Sequence, residues 1–386
     1  MEEYFRQKFE ISRGGGAHNV RPLEGLRGFA VSLVFLVHYI TLVRPWLSGE
    51  GLLVFSSAIH TMGNTGVDLF FVLSGYLIYG SLISRPQDFF RFMSRRFVRI
   101  YPTFLAVFAI YLALSFVFPA ENKIPSPIWQ GLIYLVANVF LLPGIFPIEP
   151  VITVAWSLSY EMFYYLAIPL LIAVFKLRQR SSAWRVWFFS AAAAVTIIYC
   201  AIFGGHDRLI MFVAGVLLHE AHESRRIPSQ SGFIGLLALT IGLVSTLLPI
   251  PGPVGSAIKV GILFCSFFFL CLACFRDSSA PLPHAFSWTP LRWLGNMSYS
   301  YYLLHGLTLK AAFLVLSVIL PKSAIHSDLI FWELLPVMFA LTLISSTFLF
   351  LAVERPFSLT PRGTSSGFSI PFPDNAASIA VKDRVP

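Results

Sequence analysis

Residues 21–40 read RPLEGLRGFAVSLVFLVHYI, an otherwise apolar run in which Arg27 and His38 lie eleven residues apart. Eleven residues are close to three turns at 3.6 residues per turn, so a helix puts both side chains on one face, roughly 16 Å apart along its axis. Ionisable groups inside a lipid-crossing segment are costly, which makes each of them a functional hypothesis. The rest of the chain shares the setting: 56% of its 386 residues are hydrophobic and only 12% are charged, about half the charged share of an ordinary soluble domain. The fold class expected is all-α, a polytopic integral membrane bundle.

Apolar windows fall at 23–42, 64–83, 100–119, 154–175, 184–203, 207–219, 232–250, 254–275, 293–320 and 330–352, giving about ten transmembrane helices. The run WQGLIYLVANVFLL at 129–142 is too short to cross and reads as a re-entrant or interfacial helix. With that run kept to one side, 22 of the 28 Lys and Arg residues share the side of the amino terminus. These include Arg85, Arg91 and Arg95, then Lys176 to Arg185, then Arg225 and Arg226. Positive charge marks the cytoplasmic side, so both termini are expected there, in the inner (plasma) membrane. A crossing at 129–142 would throw the Lys176 to Arg185 group outside and break the bias.

Three stretches follow: a cytoplasmic amino-terminal segment at 1–20, a transmembrane domain at 21–357 and a flexible cytoplasmic tail at 358–386, rich in Ser, Pro and Gly. No cleavable signal peptide is visible before Arg21. The net charge of +9 is accounted for by loops on one side and implies no nucleic acid. Cys200, Cys265, Cys271 and Cys274 all lie in apolar segments, so no disulfide framework is expected. The run HEAHE at 219–223 lacks the spacing of the H-E-x-x-H zinc motif, and no metal is expected.

Orientation turns position into depth. His38, Asp68, Glu161 and His305 fall at middle to outer depth, whereas Arg27, Arg91, Arg95, Arg96 and Arg99 gather at the inner edge. An imidazole beside a carboxylate is oriented and made more basic, as a base acting on a hydroxyl must be. Clustered guanidinium groups suit phosphate oxygens. A long activated acyl carrier such as acetyl-CoA, phosphates below and thioester above, fits that arrangement. Asp68 fits a helix cap equally well, Glu161 could pair with an arginine, and His305 closes a stripe with Tyr299 and Tyr302 that is structural or substrate-facing.

Six pieces in order resemble the membrane-bound acyltransferase family 3: RPLEGLRGFA followed by His38, GVDLFFVLSGYLI, SRRFVRIYPTF, WSLSYEMFYYL, LGNMSYSYYLLH and VERPF, from Arg21 to Phe357. The resemblance implies O-acylation of polysaccharides, lipopolysaccharide, peptidoglycan and related acceptors. It places the family's Arg-x10-His pattern on Arg27 and His38, and implies that His38 is catalytic, that Arg96 and Arg99 serve the acyl-CoA side, and that Glu161 is the family's acidic residue. Glu24 stands where many members have Asp, with the charge kept. Members with an appended extracytoplasmic esterase-like domain have an extension that this sequence lacks, so the membrane part is expected to hand over the acyl group itself.

The activity expected is therefore an integral-membrane O-acyltransferase moving an acyl group, acetyl above all, from cytoplasmic acyl-CoA to a hydroxyl of a cell-surface or exported glycan or glycolipid. His38 would take the acceptor's proton, with Glu161 or Asp68 orienting it. Arg27, Arg96 and Arg99 would hold the CoA phosphates, and Tyr302, His305 and Trp156 would face the substrate. No tightly bound cofactor is implied; acyl-CoA, the carbohydrate acceptor and membrane lipids are the partners. The rival is a transporter of a lipid-linked sugar, but such folds usually show two similar halves, and no internal symmetry is visible in this sequence.

Overall fold

The computed structural model describes residues 2–11, 21–224, 232–276, 280–320 and 328–359. The expected flexible tail, from residue 360 on, and Arg225 and Arg226 lie outside the described residues. Among the described residues there are fifteen α-helices and no β-strand. They are α1 (Glu2–Phe9), α2 (Arg21–Val43), α3 (Glu50–Gly63), α4 (Thr65–Ile83), α5 (Phe89–Val117), α6 (Ile128–Val139), α7 (Trp156–Val174) and α8 (Ser182–Phe203). The second half holds α9 (Ile210–Ser224), α10 (Gly232–Ser245), α11 (Gly252–Arg276), α12 (Pro281–Phe286), α13 (Thr289–Asn296), α14 (Ser298–Ile319) and α15 (Leu329–Leu349), which runs into a π-helical segment, Phe350–Leu359.

Eight helical segments are long and apolar enough to cross a bilayer: those built on α2, on α3 with α4, and on α5, α7, α8, α11, α14 and α15. The chain is thus a multi-pass membrane protein. Two of the ten expected windows make shorter helices. The 14 residues of α10 and 15 of α9 rise about 21 and 22 Å at 1.5 Å per residue, against a ~30 Å hydrocarbon core. For α9 the reason is its position, because Met211, Phe212, Ala214, Val216 and Leu218 are completely buried and the helix is enclosed by protein. It packs against α4 with small residues at the crossing: a Cβ at Gly75 would collide with the Phe212 carbonyl, and one at Gly215 with that of Val72. Close backbone approach of this kind is how helices associate where lipid offers no hydrophobic driving force. The 129–142 run folds as the 12-residue α6, as its length dictates.

Two further departures concern the ends. The stretch before Asn64, between the first two expected windows, contains α3. The first residues are docked on the bundle: Phe9 is buried and stacks on Trp293 and Phe350, each at 5.8 Å, and the Asn296 side-chain amide donates to the Phe9 carbonyl at 3.0 Å. The window 293–320 is divided, with α13 ending at Asn296 and α14 starting at Ser298.

α2 lies at the centre, against α3, α4, α13 and α14. Its buried Glu24 is held by Arg292 of α13 at 2.9 Å, a charge neutralised at the end of the bundle where the arginines gather. This pairing is what allows an ionised carboxylate to stay inside.

Candidate active site

Arg27 and His38 both point into the bundle, each into its own cavity. The first has a volume of about 130 Å³, room for roughly four waters at ~30 Å³ each. Its polar lining includes Arg27 from α2, Arg96 and Arg99 from α5, and Glu161 and Tyr165 from α7. One wall is a stripe of α4, Val67, Phe70, Phe71, Ser74, Leu77 and Ile78, at helical spacing. The second cavity, about 120 Å³, is lined by His38, Asn64, Trp156 and Arg208 among others. Val67 and Tyr302 line both. The two cavities are therefore neighbours with a thin wall, one basic and one holding the imidazole.

The arginines of the first cavity are held differently. Arg99 pairs with Glu354 at 2.6 Å, and its guanidinium lies 5.7 Å from the Tyr299 ring. Glu354 is wholly buried and also accepts from the Ser300 N–H at 3.0 Å and the Ser300 hydroxyl at 2.5 Å. The wide turns of the π-helical segment carry this carboxylate into the bundle, a use typical of such segments at functional sites. Among the described residues Arg96 has no carboxylate within ion-pairing distance. It lies between rings, 5.1 Å from Phe92 and 5.4 Å from Tyr165, with only a 3.5 Å contact to the Ser81 hydroxyl. Tyr165 in turn donates to Glu161 at 2.6 Å. Glu161 thus fixes the ring on which Arg96 rests. Of the remaining inner-edge arginines, Arg91 and Arg95 are exposed at the helix end.

On the other side of the wall, Tyr302 hydrogen-bonds Ser157 at 2.9 Å and the Val154 carbonyl at 3.0 Å, which pins its ring between the cavities. Trp156 stands at the start of α7 with the Arg208 guanidinium 5.9 Å from its ring. Arg208 also lies 3.7 Å from the buried Asp68.

Neither carboxylate is where an orienting partner of His38 would be. Glu161 belongs to the basic cavity with the arginines, and Asp68 is turned to Arg208, lining neither cavity. His305, expected to face the substrate, lines neither cavity as well: it is fully buried behind His38, ring centroids 4.9 Å apart. The physical reason is register across helices, which fixes neighbours that depth alone cannot assign. Residue-level reading also missed Arg208 and Glu354. Arg208 follows Asp207 at the very start of the apolar window 207–219, a charge pair that could have pointed at a buried partner. Glu354 was visible only as part of VERPF.

Elsewhere the buried Glu220 of the HEAHE run is taken up by Arg185 at 2.6 and 2.9 Å, Ser182 at 2.7 Å and Tyr79 at 2.5 Å. That network ties α4, α8 and α9 together.

Residues 21–353 match the family described as Acyltransferase domain. Among curated relatives, the acyltransferase MdmB of Streptomyces mycarofaciens is 33% identical over 183 residues, covering 46% of this chain and 44% of MdmB. The O-acetyltransferase OatA of Staphylococcus aureus is 29% identical over 318 residues, covering 73% of this chain and 49% of OatA. The chain spans about half the length of these relatives or less in the aligned region. No solved structure matches it. With a family match that extends over nearly all of the helical bundle and contains both cavities, the chain belongs to the membrane-bound acyltransferase family 3.

Proposed function

We propose that the protein is an O-acyltransferase that takes an acyl group, acetyl first among them, from cytoplasmic acyl-CoA and passes it to a hydroxyl of a cell-surface or exported glycan. One observation carries the reading: a single face of α2 presents Arg27 to a basic cavity and His38 to the cavity adjoining it. A guanidinium cluster recognises phosphate oxygens, and an imidazole free on one side can remove a hydroxyl proton. The similarity to the O-acetyltransferase OatA supports acetyl as the group and oxygen as the acceptor atom.

In this mechanism the carrier's phosphates bind Arg27 and Arg96 in the basic cavity, with Arg99 at its edge anchored by Glu354. The carrier's extended arm runs past Tyr302 and Val67, and its thioester meets the acceptor beside His38. His38 takes the hydroxyl proton as the oxygen bonds to the acyl carbon; the tetrahedral intermediate expels the thiolate, which receives the proton back from His38. Arg208 and Asn64 line the acceptor's side, and Asp68 holds Arg208 in place. The basic end of the bundle faces the cytoplasm of a bacterial-type plasma membrane, following the charge bias of the loops.

The test is a His38→Ala protein that inserts and still binds acetyl-CoA. It should release no acetyl to acceptor, and the surface glycans of cells that rely on it should lose their base-labile acetate. Normal acetylation by that variant would overturn the mechanism.

A further inference from the structure

We propose that His305 is the positioning residue for His38: its Nε2 accepts a hydrogen bond from one ring N–H of His38 and so decides which nitrogen of His38 faces the acceptor. This rests on the acyl-transfer reading above, in which His38 is the base.

His305 is completely buried on α14, and its Nδ1 lies 2.9 Å from the Tyr301 carbonyl oxygen. A carbonyl only accepts, so Nδ1 must carry the hydrogen. In a neutral imidazole, Nε2 is then a bare acceptor. That Nε2 is buried and has no hydrogen-bond partner among the described residues, a situation that costs free energy unless a donor answers it. The ring beside it is His38, at 4.9 Å between centroids and 65° between planes, an edge-to-face arrangement. A reorientation of His38 alone closes the pair.

The two rings differ in freedom, and the difference sets the direction of control. His305 is locked by its Nδ1 bond, by stacking on Tyr301 at 5.6 Å and 11°, and by the bond of the Tyr301 hydroxyl to Thr342 at 2.7 Å. His38 borders a cavity and makes no hydrogen bond to any described residue. The fixed ring therefore dictates the tautomer of the loose one. With one N–H of His38 given to His305, the other nitrogen presents its lone pair to the cavity. It takes the hydroxyl proton while the hydroxyl oxygen bonds to the thioester carbon. The imidazolium formed keeps its bond to His305 Nε2 and then returns the proton to the departing sulfur. His305 itself exchanges no proton. A neutral imidazole here does the orienting that a carboxylate does elsewhere, without adding a charge to the bundle interior.

The experiment measures thiol release from acetyl-CoA by purified protein, with water or added sugars as acceptor, for His305→Leu, His305→Asn and His305→Gln beside His38→Ala. His305→Leu should lower kcat by about 10- to 100-fold, the scale for removing a partner that orients a working histidine, with KM for acetyl-CoA unchanged. The Gln carbonyl oxygen reaches the place of Nε2, so His305→Gln should recover most of the lost kcat; the shorter Asn should not. Wild-type kcat in His305→Leu would overturn the assignment. So would equal losses in the Asn and Gln variants, and that pair decides if His305→Leu does not insert. Full activity in His38→Ala would instead sink the mechanism in which His38 is the base, whereas an inactive His38→Ala with an undisturbed His305→Leu would sink only the role given to His305.

Discussion

The basic cavity and the histidine cavity are separated by little more than Val67 and the Tyr302 ring, yet they are built by opposite rules. In the basic one, groups are held before any ligand arrives: Arg99 by Glu354, Arg96 by two rings, Glu161 by Tyr165. In the other, the one ring packed near His38 among the described residues is another imidazole, that of His305. A phosphate site gains from preorganised donors because the ligand's charge is constant and arrives complete. A base must change charge during the reaction, and a partner with fixed opposite charge would tie it to one state. On the proposed mechanism the contrast divides binding and chemistry between the two sides, so that changes on one side should show in KM and on the other in kcat.

The largest break in that division comes from His38→Ala. General base catalysis contributes about 10²- to 10⁴-fold, and the loss should fall on kcat alone, with acetyl-CoA binding, measured by isothermal titration or ligand-detected NMR, intact. A parallel loss of binding would mean that the two cavities do not divide the work.

Next in size is Glu354→Gln, which strikes the scaffold of the basic side. The carboxylate is fully buried and neutralises Arg99 at 2.6 Å. Removing one partner of a buried pair costs about 3–5 kcal/mol; since Gln still accepts from Ser300, the lower end, about 3 kcal/mol, is expected. The readout is a lower thermal midpoint in detergent, and an unchanged midpoint would show that Arg99 needs no counter-charge. Arg96→Ala should do the reverse, leaving stability nearly untouched. The loss of a charge-assisted hydrogen bond, about 1.5–3 kcal/mol, should raise KM for acetyl-CoA roughly 10- to 150-fold with kcat nearly constant. Equal behaviour of the two variants would erase the distinction between an arginine that braces and one that binds.

What the amino-acid string made legible follows the same line between local and non-local physics. Crossing lipid is a property of about twenty consecutive residues, so α2, α4, α5, α7, α8 and α11 appear as apolar windows, and one helix period is enough to put Arg27 and His38 on a common face. The length of α6 is likewise a local fact. The helix α3 escaped because its short amphipathic stretch lies next to a true span, and the docking of α1 because nothing in MEEYFRQKFE announces that Phe9 will stack on rings from the far end of the chain. The partners of the titratable groups were hidden for the same reason. Asp68 meets Arg208, Arg99 meets Glu354, and His38 meets His305 only once helices distant in sequence are set side by side. Depth in the membrane sorts such groups by height but says nothing of azimuth, which is why a carboxylate was expected where an imidazole stands.

The smallest effect, and the sharpest test of the wall itself, belongs to Tyr302→Phe. The ring would remain between the cavities, but its hydroxyl bonds to Ser157 and the Val154 carbonyl would go. Ser157 keeps a 3.2 Å bond of its own to that carbonyl, so little is left unsatisfied. A net hydrogen bond of about 1 kcal/mol is at stake, a shift of about fivefold in any equilibrium between a pinned and an unpinned ring. If the pinned ring limits water passing between the two sides, the variant should bind acetyl-CoA as before and fold as before, yet release more thiol to water for each acetyl delivered to a sugar. That ratio, taken from the same reaction by thiol titration and by acetate bound to acceptor, isolates the wall from both the arginines and the histidine. An unaltered ratio would mean that Tyr302 only packs, and that the division between binding and chemistry rests on distance along α2 alone.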